Sequence, residues 1–175
     1  SSGDDDDDSS SADDDDAVGA GCPEEIQAIL DEATSWTDVA SCGNAAFFSI
    51  APGGTAHLGI GLEVAKSEVE LGATFTVAMD FEPKDQVPGL VSFETGMNVA
   101  DSDCDDALKG PMTIDTAWTG TAGSATLTIT EAGGELYEGT VETSGILLVN
   151  DDGTGEICAL PDGSWSGLSF GWFPG

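Results

Sequence analysis

Between Pro23 and Ser35 the apolar residues Ile26, Ile29, Leu30 and Ala33 recur at helical spacing. Pro23 suits a first helical position, and Glu24 and Glu25 complement the positive end of a helix. The pattern predicts one helix over 23–35, too short to persist without packing against a body. From residue 45 onward the period changes to two. Over Thr55–Ala65, the residues Ala56, Leu58, Ile60, Leu62 and Val64 share one face, while Thr55, His57, Gly59, Gly61 and Glu63 share the other. Over Ala73–Phe81, Phe75, Val77, Met79 and Phe81 oppose Thr74, Thr76 and Asp80. Met112–Thr119 and Ser124–Glu131 read as two further strands, and Leu168, Phe170 and Trp172 mark a last one. Such alternation belongs to half-buried antiparallel strands.

Turn signals punctuate these runs: Ala51-Pro52-Gly53-Gly54, Ala132-Gly133-Gly134, Asn150-Asp151-Asp152-Gly153 and Pro161-Asp162-Gly163. Seven to nine short strands joined this way predict an all-β fold, an antiparallel β-sandwich with one N-terminal helix. A closed β-barrel is the alternative.

Composition divides the chain in two. Residues 1–21 are a low-complexity run of Asp, Ser, Gly and Ala with a single valine, Val18, expected to stay extended because like charges repel and too little is apolar to be buried. Residues 22–175 form the expected β domain. The whole chain carries 34 acidic residues against three lysines and no arginine, a formal charge of −31. Nine of those acids lie in the first sixteen residues, so the domain is acidic in its own right. Such a surface repels phosphate backbones and anionic headgroups, which excludes nucleic acid and anionic membranes as partners.

Cys22, Cys42, Cys104 and Cys158 are widely spaced, with no C-x-x-C and no histidine pair beside them. That is not zinc spacing. An even count in such a chain reads as two disulfides and an oxidising compartment. Of the three connectivities, the favoured one is Cys22–Cys42, clipping the helix to the first strand, with Cys104–Cys158.

Candidate chemistry is sparse. The sole histidine, His57, falls on the polar side of its strand pattern and reads as a surface residue rather than a catalytic base. Carboxylate pairs of the kind glycosidases use arise by chance in so acidic a domain. Calcium is the sharper expectation, because it takes oxygen ligands. The first-choice ligand set is Asp101, Asp103, Asp105 and Asp106; the second is Asn150, Asp152 and Glu156. The second set departs from an EF-hand loop at both ends, where Leu148 and Ala159 stand in place of acids, and also reads as a hairpin turn. The late aromatics Trp118, Trp165, Phe170, Trp172 and Phe173 read as core, with a sugar-stacking platform as the alternative.

The Asp/Ser-rich start, Gly96-Met97-Asn98-Val99 ahead of Asp103-Cys104-Asp105-Asp106, Trp118-Thr119-Gly120-Thr121-Ala122-Gly123, Asp152-Gly153 before Cys158, and Phe170-Gly171-Trp172-Phe173-Pro174-Gly175 are shared motifs. On them the chain resembles exported, often lipoprotein-like β-rich proteins of myxobacteria and their marine relatives. The resemblance implies a β-rich fold and an envelope or extracellular location; a lipid anchor upstream of Ser1 is a further expectation, because a start such as Ser1-Ser2-Gly3 commonly follows a lipid-bearing cysteine. It implies no activity and assigns no functional residue.

The expected function is a non-enzymatic extracellular or cell-surface module, with calcium-assisted adhesion or binding of a ligand or surface partner as its role. Two alternatives stand beside it: a self-assembling subunit of a surface filament or layer, and a secreted carbohydrate hydrolase.

Overall fold

The computed structural model describes residues 21–43, 45–62, 64, 66–80, 91–102, 104 and 110–171. The helix α1 runs Glu24–Ala33 and buries Ile26, Leu30 and Ala33, as the spacing predicts. Pro23 caps it from an extended conformation instead of occupying its first turn. Nine strands follow among the described residues: β1 (Asp38–Cys42), β2 (Ala46–Ile50), β3 (Ala56–Gly61), β4 (Thr74–Asp80), β5 (Val91–Met97), β6 (Thr113–Gly133), β7 (Leu136–Asn150), β8 (Ile157–Ala159) and β9 (Gly163–Gly171). Every described strand pair is antiparallel.

The strand order is β1-β2-β3-β5-β6-β7-β8, with β4 added to β6 and β9 added to β7. This branching arises because β6 and β7 are long and bent. The first part of β6, to Thr119, pairs with β5; its later part, from Ala122, pairs with β4. The early part of β7 pairs with β9, and its end pairs with β8. One sheet is thereby folded over on itself, and its two halves enclose one core. Phe47 of β2 meets Trp165 of β9 across that core at 4.9 Å between ring centroids. Leu58, Phe93, Trp118, Leu127, Val141 and Phe170 lie in the same cluster.

The sheet is sandwich-like and open rather than closed into a barrel. Its β1 and β9 margins meet without forming a ladder: Gly171 N–H donates to Gly43 O at 2.9 Å, and Ser41 Oγ donates to Ser169 O at 2.6 Å.

Three expectations about the strands change. Residues 112–119 and 124–131 are not two strands but parts of β6, which passes through Gly120 and Gly123 with shifts of register instead of a turn. Within Thr55–Ala65 the strand ends at Gly61. The side of β3 that reads as polar is not solvated either: His57 and Gly59 are buried with the rest of the strand. Gly59 permits this, since a Cβ there would lie 2.9 Å from Ser92 Oγ and 3.1 Å from the Phe48 ring.

The disulfides are Cys22–Cys158 and Cys42–Cys104, not the pairing favoured by sequence. Cys22 lies beside β8: Gly21 bridges Ile157, and Gln27 of α1 bonds both the N–H and the carbonyl of Ala159. Cys42 ends β1, at the opposite end of the strand order. The ten-residue helix carries the chain away from β8 by about 15 Å. A disulfide requires Cα atoms within about 7 Å, so neighbours in sequence on either side of the helix become partners of distant residues.

Candidate functional site

His57 and Glu94 face each other across the β3–β5 ladder. Nε2 of His57 lies 3.2 Å from Glu94 Oε2, with the imidazole 7% exposed and the carboxylate 27%. The Phe48 ring lies over the imidazole at 5.7 Å. The surface histidine expected from the alternation is therefore a buried, carboxylate-paired one. Sequence reasoning missed Glu94, which carries no signal among so many acids.

Of the first-choice calcium set, Asp103, Asp105 and Asp106 lie outside the described residues. Asp101 belongs to a single 3₁₀ turn, Val99–Ser102. Cys104 follows in a left-handed conformation and ties this stretch to the end of β1.

The second set is described in full, and it is a hairpin loop whose polar groups hold one another. Asn150 is buried; its Nδ2 donates to Glu156 Oε2 at 2.7 Å, and its Oδ1 accepts from Asp152 N–H at 3.1 Å. Asp152 Oδ1 accepts from Thr154 N–H at 2.8 Å. Asp151 Oδ2 accepts from the Thr119 hydroxyl at 3.2 Å. Among the described residues, no three His, Cys, Asp or Glu side chains converge as a metal site requires.

Trp118, Trp165 and Phe170 are buried in the core, as the packing reading expects. Trp172 and Phe173 lie outside the described residues.

Among the described residues a concavity lies elsewhere, on the outer face where β6, β7 and β9 run side by side. It is a groove of about 540 Å³ lined by Ser124, Thr126, Glu142, Ser144, Asp162 and Ser164, among others. The register explains the lining. Ser124 opposes Ser144, Thr126 opposes Glu142, and Glu142 opposes Ser164. The alternation that sends Ala125, Leu127 and Val141 into the core sends these polar partners outward. Thr76 of β4 extends the row, its hydroxyl 2.9 Å from that of Thr126. Asp162 forms one wall. Its Oδ1 accepts from Gly145 N–H at 2.8 Å and its Oδ2 from Ser144 Oγ at 3.5 Å.

The chain matches no protein-family model, no curated protein and no solved structure. The groove offers hydroxyls as donors and acceptors, and carboxylates as acceptors, and among the described residues no cationic side chain lines it. Such a surface suits a neutral, hydroxyl-bearing ligand and disfavours an anionic one. Sequence reasoning placed a strand over Ser124–Glu131 but did not find the groove, because β7 supplies half of it and its register is a tertiary fact.

Proposed function

We propose that this protein is a non-enzymatic module of the cell exterior that holds a neutral polyhydroxylated ligand, such as a surface polysaccharide, in the β6–β7–β9 groove. The observation that carries this reading is the engagement of Asp162. Its two oxygens take up Gly145 N–H and Ser144 Oγ, so this carboxylate shapes the wall. A glycoside hydrolase would instead need a pair of carboxyl groups disposed to protonate and attack. Glu142 then acts as an acceptor for ligand hydroxyls, as do Thr126 and Ser164. Two disulfides in the fold support an oxidising compartment outside the cytoplasm.

The test is titration of the full chain with a panel of neutral and anionic oligosaccharides, followed by heat release or ligand-observed resonance. Neutral members should bind, and anionic ones should not. Thr126→Val and Glu142→Gln, which remove a hydroxyl and a charge from the floor, should each weaken binding by about tenfold, the worth of one good polar contact. Liberation of reducing ends during the titration would establish the hydrolase instead. Binding unchanged in both variants would place the ligand away from the groove.

A further inference from the structure

We infer a mechanical function for the Cys22–Cys158 disulfide: it transmits tension from the acidic N-terminal segment directly into the sheet and spares helix α1 from being peeled away. The inference rests on the reading of this chain as an exterior module, here loaded through its N-terminal segment, but not on what the groove binds.

Cys22 is the first residue after the low-complexity stretch, and it precedes the helix. Any pull on residues 1–21 arrives there. Without a crosslink the next element to bear the load would be α1, a ten-residue helix that is marginal by itself. It is held by three buried side chains, by Gln27 on Ala159 and by Ser49 Oγ on Ala33 O. A helix pulled from its end loses such contacts one after another. The disulfide removes α1 from the path. It joins Cys22 to Cys158 of β8, which is fully buried in the core cluster, with Cys22 packed against it. Gly21 bridges Ile157 on the same strand, so the approaching backbone is aligned with β8.

The onward route is short. From Cys158 only four residues lead along the chain to Asp162, the wall of the groove. Through the disulfide, the anchor side and the ligand side of the module are near neighbours, although 136 residues separate the two cysteines in sequence. Those residues form a closed covalent loop that a pull between the chain ends cannot extend.

The test is single-molecule stretching of the full chain between handles at Ser1 and Gly175, with no ligand present. Gains in length are given at about 3.3–3.6 Å per residue, before subtracting the folded end-to-end distance. The oxidised chain should gain only residues 159–175, about 60 Å, and show no earlier step. Cys22→Ser with Cys158→Ser, keeping Cys42–Cys104, should gain about 300–330 Å. It should also show a step of about 50–60 Å at lower force, as residues 22–37 peel off. Full reduction of the native chain should give about 510–550 Å and serves as the second measurement if the double variant folds poorly. A gain near 300 Å in the oxidised native chain overturns the proposal, because residues 22 and 158 would not be joined. Peeling that needs the same force as the main rupture, in the double variant and in the reduced chain alike, overturns it too, since α1 would then need no protection.

Discussion

Gly123 of β6 and Gly145 of β7 press backbone to backbone at the bend where the sheet passes from one half to the other. Both are left-handed, with φ of 92° and 62°. A Cβ on Gly123 would come within 2.5 Å of the Gly145 carbonyl carbon and 2.6 Å of Ile146 N, whereas one on Gly145 would meet nothing within 4 Å. The two glycines therefore differ in kind: one is needed for conformation and for space, the other for conformation alone. Between them they set the bend that brings Ser124 opposite Ser144 at the end of the groove.

Gly123→Ala should accordingly cost about 2–5 kcal/mol, summing backbone strain and overpacking. Gly145→Ala should cost about 1–2 kcal/mol. Urea or thermal melts of the two variants give the comparison. Equal losses would mean that the close approach at the bend does not exist in solution.

The two disulfides should differ in worth in a defined direction. In the chain-entropy account, closing a loop of 136 residues stabilises more than closing one of 62, by about 0.7 kcal/mol. Replacing both cysteines of the Cys22–Cys158 pair by serine should cost about 4–5 kcal/mol, and of the Cys42–Cys104 pair about 4 kcal/mol. Peptide mapping without reductant checks the pairing itself, and recovery of a Cys22–Cys42 peptide would contradict it.

The fold class was legible because alternation is local. Phe75, Val77 and Met79, or Ala125, Leu127 and Ile129, point inward wherever the strand lies in the sheet. The four turn signals all lie at junctions of consecutive strands, three of them overlapping a strand end. What was not legible depended on neighbours in space. Gly120 and Gly123 read as a break, yet a glycine inside a strand marks a shift of register or a close approach as readily as a turn. His57 read as solvated, because a sequence does not say that both faces of β3 are covered. The cysteine pairing followed from where α1 begins against β8, which no spacing rule encodes.

The His57–Glu94 pair should be structural and asymmetric. Glu94→Ala strips the carboxylate from a buried imidazole and should cost about 1–3 kcal/mol, while Glu94→Gln keeps an acceptor and should cost less. Equal destabilisation by the two variants would show that the negative charge, not the hydrogen bond, matters.

Tyr137 sets a limit at high pH. Its side chain is buried and stacked on Phe170 at 5.4 Å, and burial pushes its phenol up from 10.0 to about 12. The unfolded chain releases this proton more readily than the folded one. The group's contribution is thus fully present below pH 10 and is lost as pH rises through 12. Tyr137→Phe should flatten the fall in stability between pH 10 and 12, compared in melts at matched ionic strength. An unchanged slope would show that the phenol ionises as freely in the fold as outside it.

The β7–β8 loop tests whether a metal or the chain itself organises the acids around Asn150. Its groups satisfy one another: the Asn150 amide joins Glu156 to Asp152 N–H, and Asp152 caps Thr154 N–H. The bond to a charged carboxylate, from a buried amide, should be worth about 1.5–3 kcal/mol. A double-mutant cycle of Asn150→Ala and Glu156→Ala should return coupling of about that size. The cycle is run at ~0.15 M salt, with calcium and again with chelator, so that diffuse screening is constant. If the loop is self-supporting, the coupling is the same in both. If it appears only with calcium, then the ion, not the Asn150–Glu156 bond, joins the two residues. Calcium bound elsewhere behaves differently. Ligation by Asp101, Asp103, Asp105 and Asp106 would raise the stability of every member of the cycle equally, by about 2.7 kcal/mol at a hundredfold excess over Kd, leaving the coupling untouched. That uniform rise should vanish in Asp103→Asn with Asp105→Asn, and should not be reproduced by magnesium, whose smaller ion demands stricter octahedral geometry.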